Sequence, residues 1–271
     1  MRKRSSFDLS AQSEYGSHNL NNWSSMPHQF VAADWEQYRI DYHNPFQALE
    51  APEEEIAIVD KVLARLAELQ IIPHTRYDRA RFETFRQAVI ERFEIPWTAI
   101  TPRMQCLLWA LNAIRQPRNM LAAGIFCGNT FISNAGTGVG PDAVYQADNL
   151  VGIEIKLDEA ARAERNVRAF DETGVAYIVA GDAVQVVGAF DKPIELLYLD
   201  ANGTDARSKG IYLDILQAGL AQMPQGALVL AHNSVNCAEK MSDYLDFVRV
   251  PQRFTSLNVI FDVEGLEVSA V

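Results

Sequence analysis

The sequence has little of several things that would announce its surroundings. No stretch approaches the ~18 consecutive apolar residues of a membrane-spanning helix. The opening Met1-Arg2-Lys3-Arg4 is followed by Ser, Asp, Gln and Asn rather than by an apolar export segment. Cysteine is scarce: Cys106, Cys127 and Cys237 lie far apart and form no CxxC pair. Such an odd, sparse set argues for reduced thiols and against a disulfide framework or a zinc site. A cytoplasmic protein without a membrane partner is the expectation. Positive charge is also short, with 24 Lys and Arg against 35 Asp and Glu and a formal net charge of −11. Phosphate backbones reward clustered cations, so nucleic acid is excluded as the expected partner, and a small-molecule substrate, cationic or zwitterionic, fits better. His18, His28, His43 and His74 show no metal-ligand spacing, and no repeat or long linker occurs.

What is present is an apolar fraction of 48%, ample for a buried core. Residues 1–28 are polar and rich in Ser and Asn, which predicts a mobile arm that Tyr15, Trp23 or Phe30 would pin. Pro52 then introduces a helix to Gln70 with Ile56, Val59, Val62, Leu63 and Leu66 at helical spacing. A second helix over Tyr77–Phe93 carries Phe82, Phe85, Val89 and Ile90. A third follows Thr101-Pro102 to Arg115, with Met104, Leu107, Leu108 and Leu111 as its stripe.

Beyond residue 115 the texture changes. Apolar runs of strand length occur at Asn119–Ala123, Leu150–Ile155, Tyr177–Ala180, Ile194–Leu199 and Ala227–Ala231. Helical patterns at Leu157–Glu172, Ser208–Ala221 and Ala238–Arg249 fall between several of them. This alternation predicts a parallel sheet covered by helices on both faces. Two consecutive strands, Thr255–Phe261 and Leu266–Val271, joined by Asp262-Val263-Glu264-Gly265, predict an antiparallel hairpin at one edge. Ligands of such sheets sit outside the carboxyl ends of the strands, so the residues after each strand are the candidates.

The first strand runs into Gly124-Ile125-Phe126-Cys127-Gly128-Asn129-Thr130, where glycines let backbone pass close to a ligand. The second ends in Gly152-Ile153-Glu154-Ile155; a carboxylate there suits two adjacent ribose hydroxyls, or merely a helix cap. The third enters Gly181-Asp182-Ala183, an ordinary turn taken alone, whose acid can accept from an adenine amino group. The fourth ends in Asp200 and the fifth in His232-Asn233.

In their order and spacing these residues resemble class I S-adenosylmethionine (SAM)-dependent methyltransferases, and among them the small-molecule O-methyltransferases of the catechol and caffeoyl-CoA type. The resemblance covers residues 101–271. It implies an α/β Rossmann-like fold with a seven-stranded, mostly parallel sheet and an antiparallel C-terminal hairpin. Residues 1–100 become an added helical arm, which would serve as a lid or as the contact of a homodimer. It implies SAM as cofactor, held by Gly124, Phe126, Cys127, Gly128, Asn129, Glu154, Ile155, Asp182, Ala183 and Asp200, with Asp200, His232 and Asn233 as the catalytic candidates. The sequence departs from the family at three places. Ala122 stands where the first strand normally carries an acid near the methionyl end of SAM. His232 stands between Asp200 and Asn233 where metal-dependent members have an Asp, and an imidazole among hard oxygens suits magnesium poorly, so no metal is expected. Ser133–Asn149 is long and rich in glycine, either a surface loop or a segment bringing Tyr145 to the cofactor.

Three functions follow from the resemblance. The first is methyl transfer to a small acceptor, with His232 as base because an unperturbed imidazole titrates near about 6.5. Trp35, Tyr38, Tyr42, Phe46 and Trp97 would then face the sulfonium or belong to the core. The second resembles azetidine-2-carboxylate synthases, in which the SAM α-amine displaces methylthioadenosine; loss of the acid at Ala122 would favour the neutral amine. The third is a SAM-binding protein without catalysis.

Overall fold

The computed structural model of the chain describes residues 28–140, 143–203 and 207–271. The predicted arm, with Tyr15, His18 and Trp23, lies almost wholly outside the described residues, as does Pro141.

Helix α1 (Pro52–Glu68) opens with Pro52 in its first turn, followed by Glu53, Glu54 and Glu55. The proline ring fixes a helical φ, and acids meet the positive end of the helix dipole. Helix α2 (Arg79–Arg92) is capped by Asp78, which accepts from the Arg81 amide at 3.1 Å. Helix α3 (Pro102–Arg115) is capped by Thr101, which accepts from Met104 at 3.2 Å. The predicted stripe of α3 is buried, but so are Cys106, Trp109 and Ala110 on its other sides. The cause is its position: one hydrophobic cluster joins α3 to Val59, Leu63, Phe82 and Phe85 of α1 and α2 and to one face of the sheet.

That sheet contains the expected seven strands and one more. They are β2 (Asn119–Ala123), β3 (Asn149–Glu154), β4 (Ala176–Ala180), β5 (Leu196–Leu199), β6 (Leu228–His232), β7 (Thr255–Ile260) and β8 (Leu266–Ala270), with β1 (Gln29–Val31) added. The order is β1-β7-β8-β6-β5-β2-β3-β4. Every neighbouring pair is parallel except those of β8, which runs antiparallel to β6 and β7. The fold class is as expected; the strand count of seven is corrected to eight. β1 pairs Phe30 with Val259 and so satisfies backbone groups on the edge of β7 that β8 leaves open.

Side chains alternate across the sheet as the strand period requires. Met120 and Ala122 of β2 face the α1–α3 layer, while Leu121 and Ala123 face the layer containing α7 (Ile211–Gly219) and α8 (Ser242–Val248). Helix α5 (Leu157–Arg168) matches a predicted pattern, whereas α4 (Asn129–Ala135) and α6 (Ala183–Gly188) are additional. The alternative of a surface loop over Ser133–Asn149 is corrected at its start: Ser133–Ala135 end α4, and Ser133, Asn134 and Thr137 are fully buried. Their polar atoms bond back to the preceding turn, with Ser133 Oγ on the Asn129 carbonyl at 2.8 Å and Asn134 Nδ2 on that of Thr130 at 2.9 Å. From β2 the chain runs out to β3 and β4, then returns to place β5 on the opposite side of β2. That reversal opens a crevice at the carboxyl ends of β2 and β5.

Candidate functional site

A cavity of about 500 Å³ occupies this crevice, lined from the tips of β2, β3, β4, β5 and β6. Gly124 forms its floor with φ +79, and a Cβ there would stand 2.3 Å from the Cα and N of Ala201 beyond β5. Only glycine fits both the left-handed backbone and that close approach. Phe126 also has positive φ (+50), and its amide donates to Glu154 Oε2 at 2.9 Å. Glu154 Oε1 accepts from the Lys156 amide at 3.0 Å. The carboxylate at the tip of β3 therefore fixes the loop after β2 and keeps further lone pairs for a ligand. Asp182, at the tip of β4, caps α6 through Oδ1, which accepts from Gln185 at 3.0 Å. Its other oxygen makes no hydrogen bond to the described residues.

The structure places Gly124, Phe126, Cys127, Asn129, Glu154, Ile155, Asp182, Ala183, Asp200, His232 and Asn233 on this one cavity. Gly128 is apart: it caps α4 with φ +91 and packs on Ala163. Tyr145 does not line the cavity, and its hydroxyl is buried beside Gly138. Of the aromatic candidates, Tyr42 and Trp97 line the wall, with the Trp97 ring tilted by 36° against Phe126 and the ring centroids 4.8 Å apart. Tyr38 instead lies under the Arg103 guanidinium at 3.7 Å, Trp35 packs on the core, and Phe46 lines a separate hollow.

At the tips of β5 and β6 a charged cluster forms. Asp200 Oδ1 accepts from Lys209 Nζ at 2.7 Å, and the same ammonium reaches the Asp200 carbonyl at 3.1 Å. Asp200 Oδ2 stands 3.3 Å from His232 Nδ1. Burial opposes ionisation of Asp200, but Lys209 and His232 outweigh it and hold the carboxyl below its ordinary range. Burial likewise opposes protonation of His232, yet Asp200, with Glu264, raises its proton affinity. The imidazole is 1% exposed, and neither ring nitrogen completes a hydrogen bond to the described residues. Asn233 takes φ +68 at this turn and donates through Nδ2 to Glu264 Oε2 at 2.7 Å. Asn236 donates to the same oxygen, and the Tyr42 hydroxyl donates to Oε1 at 2.6 Å. Burial raises the pKa of Glu264.

Lys209, Glu264, Tyr42 as a Glu264 partner, and Thr130 are cavity residues that the sequence reading did not single out. Lys209 carried one signal: it precedes the N-terminus of α7, where the helix dipole disfavours a cation, so a carboxylate partner was to be sought. Glu264 lies in the β7–β8 turn, and nothing in its sequence context brings it beside Asn233.

No protein-family model and no curated protein matches the chain. Solved structures do. An O-methyltransferase from Bacillus cereus in complex with S-adenosylhomocysteine (SAH) is 16% identical, with 78% of this chain and 97% of that one covered and a TM-score of 0.53. The O-methyltransferase TomG of Streptomyces achromogenes, involved in tomaymycin synthesis and crystallised with SAM, is 20% identical over 82% of this chain and 99% of its own, TM-score 0.53. An SAH-bound methyltransferase of Podospora anserina is 12% identical over 82% and 97%, TM-score 0.54. What this chain shares with them is the fold, a Rossmann-like mostly parallel sheet closed by an antiparallel C-terminal hairpin.

Proposed function

We propose that this protein is an enzyme that binds SAM in the crevice between β2 and β5 and transfers its methyl group to a small-molecule acceptor. The observation that carries the reading is the pair of carboxylates, Glu154 and Asp182, at the tips of adjacent strands on one cavity beside the glycine loop. In this reading Glu154 accepts from the ribose hydroxyls and Asp182 from the adenine amino group. Ile155 and Ala183 flank the base, while Phe126 and Cys127 line the loop that passes the sugar. Two buried atoms without hydrogen-bond partners among the described residues fit the amino-acid end: Asn129 Oδ1 for the ammonium and Thr130 Oγ1 for the carboxylate. SAM supplies an electrophilic methyl on a sulfonium. The chain's own work is to hold the acceptor in line with it and to exclude water. His232 is positioned to take the acceptor's proton, with the Asp200 carboxylate 3.3 Å from its Nδ1 and Nε2 without a hydrogen-bond partner among the described residues. The segment carrying Tyr42 and the stretch Trp97–Ile100, both from residues 1–100, wall the cavity and serve as its lid.

The residues do not fit the divalent metal used by some enzymes of this fold. The Asp200 carboxylate already holds an ammonium at 2.7 Å, and an imidazole, His232, stands next to it in place of a hard oxygen ligand. No group of three or more metal-ligating side chains occurs among the described residues.

A second reading is SAM cyclisation, favoured by the absence of any carboxylate from Gly124–Thr130 and by Ala122 being sealed in the sheet. SAM is then the substrate: its Cγ–S bond breaks as a Cγ–N bond forms, and the amine loses a proton. Incubating the protein with SAM, with and without a panel of hydroxylated acceptors, separates the readings by mass spectrometry. SAH formed only with an acceptor supports methyl transfer; methylthioadenosine formed without one replaces it by cyclisation. Failure to bind SAH in calorimetry would overturn both.

A further inference from the structure

Lys209 is 5% exposed, an unusual place for a lysine, and its ammonium lies over the face of Tyr212 at 5.2 Å and against Asp200. Its backbone sits in a 3-10 turn at Ser208–Gly210, just before α7. A cation there gains nothing from the helix, whose N-terminal end is positive. Burying an ammonium is costly unless a partner neutralises it. Tyr212 fixes the surroundings further, its hydroxyl donating to the His232 carbonyl at 3.2 Å.

We propose that the Lys209 ammonium is a built-in cation that occupies the position from which a divalent ion would otherwise serve Asp200 and His232. This rests on the acceptor site proposed above lying at the tips of β5 and β6. Asp200 Oδ1 is engaged by Lys209, and Oδ2 lies 3.3 Å from the imidazole Nδ1. A metal on Oδ1 would need to approach to about 2.0–2.6 Å, where the ammonium stands in the way. The charge of Asp200 is also already balanced, so a divalent ion would leave the buried cluster strongly positive. An ammonium has three donors. Two go to Asp200, and the third has no acceptor among the described residues while the residue lines the cavity. Lys209 thus supplies fixed positive charge at the place where an acceptor would lie, and it does so without an exchangeable ion.

The test uses the whole protein and Mn²⁺ alone as probe, followed by the electron paramagnetic resonance signal of the free ion. Wild type is expected to leave that signal unchanged up to millimolar protein. Lys209→Ala frees a carboxylate beside an imidazole and is expected to take up about one Mn²⁺ per chain, and Asp200→Asn added to it should abolish the uptake. Lys209→Gln repeats the measurement should the alanine variant fail to fold. Mn²⁺ bound by the wild type and lost in Asp200→Asn overturns the proposal. So does a folded Lys209 variant that takes up none. Calorimetry with SAH on the same samples keeps the two claims apart: wild type that binds neither Mn²⁺ nor SAH refutes the SAM reading while the ion measurement still decides the role of Lys209.

Discussion

Asp182 caps a helix through one oxygen and is assigned to the ligand through the other in the proposed complex, and the two roles can be separated. Oδ1 accepts from the Gln185 amide at 3.0 Å and starts α6, a helix of only 6 residues. In the proposed complex the other oxygen accepts from the adenine amino group. Asp182→Ala removes both. Loss of an N-cap costs about 1 kcal/mol of stability, which in a protein of this size lowers Tm by roughly 2 °C. Loss of a hydrogen bond to a charged acceptor costs a further ~1–3 kcal/mol of binding, or about 5- to 150-fold in the Kd for SAH. Asp182→Asn divides the effects. Asparagine caps about as well as aspartate, so stability should stay within a few tenths of a kcal/mol. With its carbonyl oxygen on Gln185, however, its NH₂ takes the place of the free oxygen and meets the adenine amino group donor to donor. SAH affinity should then fall at least as far as in the alanine variant. Urea unfolding and calorimetry on the three proteins read the two quantities independently. An Asp182→Asn protein that binds SAH like wild type refutes the adenine assignment and leaves Asp182 as a cap alone.

Gly124→Ala should damage both fold and site. Its Cβ would overlap Ala201 backbone atoms at 2.3 Å and its φ is +79; left-handed alanine costs ~1–2 kcal/mol and overpacking ~1–3 more, so a variant with unchanged Tm and SAH affinity would show that β2 and β5 are not held this close. Arg103→Met breaks a buried guanidinium that binds Asp34 and Glu50 and caps the Phe261 carbonyl at 3.1 Å. Destabilisation of about 3 kcal/mol is expected in urea, and a loss under about 0.5 kcal/mol would mean the network contributes little. Asp262 is fully buried, and burial raises its pKa despite hydrogen bonds from Thr101 and two backbone amides. The folded state therefore holds this proton more tightly than the unfolded state, so its contribution to stability declines as pH rises above the ordinary carboxylate value of about 4. Asp262→Asn should lack that decline, and parallel stability–pH curves for the two proteins would contradict it. Finally, EDTA should leave SAM turnover unchanged; activity lost to chelation and restored by magnesium would reverse the reading of the cluster around Asp200.

The parallel sheet and its C-terminal hairpin were legible because each strand is an apolar run at sheet length, and the α1–α3 stripes because a helix buried against a core must repeat near 3.6 residues. The glycine loop, Glu154, Asp182 and Asp200 could be found for a related reason: strand ends converge in an open α/β sheet, so position along the chain stands in for position in space. β1 was not legible, since three residues carry no period and its stability comes from the open edge of β7. Helix α4 was hidden because it is buried on all sides and satisfies Ser133 and Asn134 within its own turns, leaving no stripe of apolar residues. By itself, then, the sequence determined the sheet, the layering and the row of acids along its rim. Only the tertiary structure decided what charge meets what charge. Lys209 reaches Asp200 across a loop, Glu264 reaches Asn233 across the hairpin, and Tyr42 closes on Glu264 from the far end of the chain. Such pairings depend on distances between separate elements, which packing sets and no local period records.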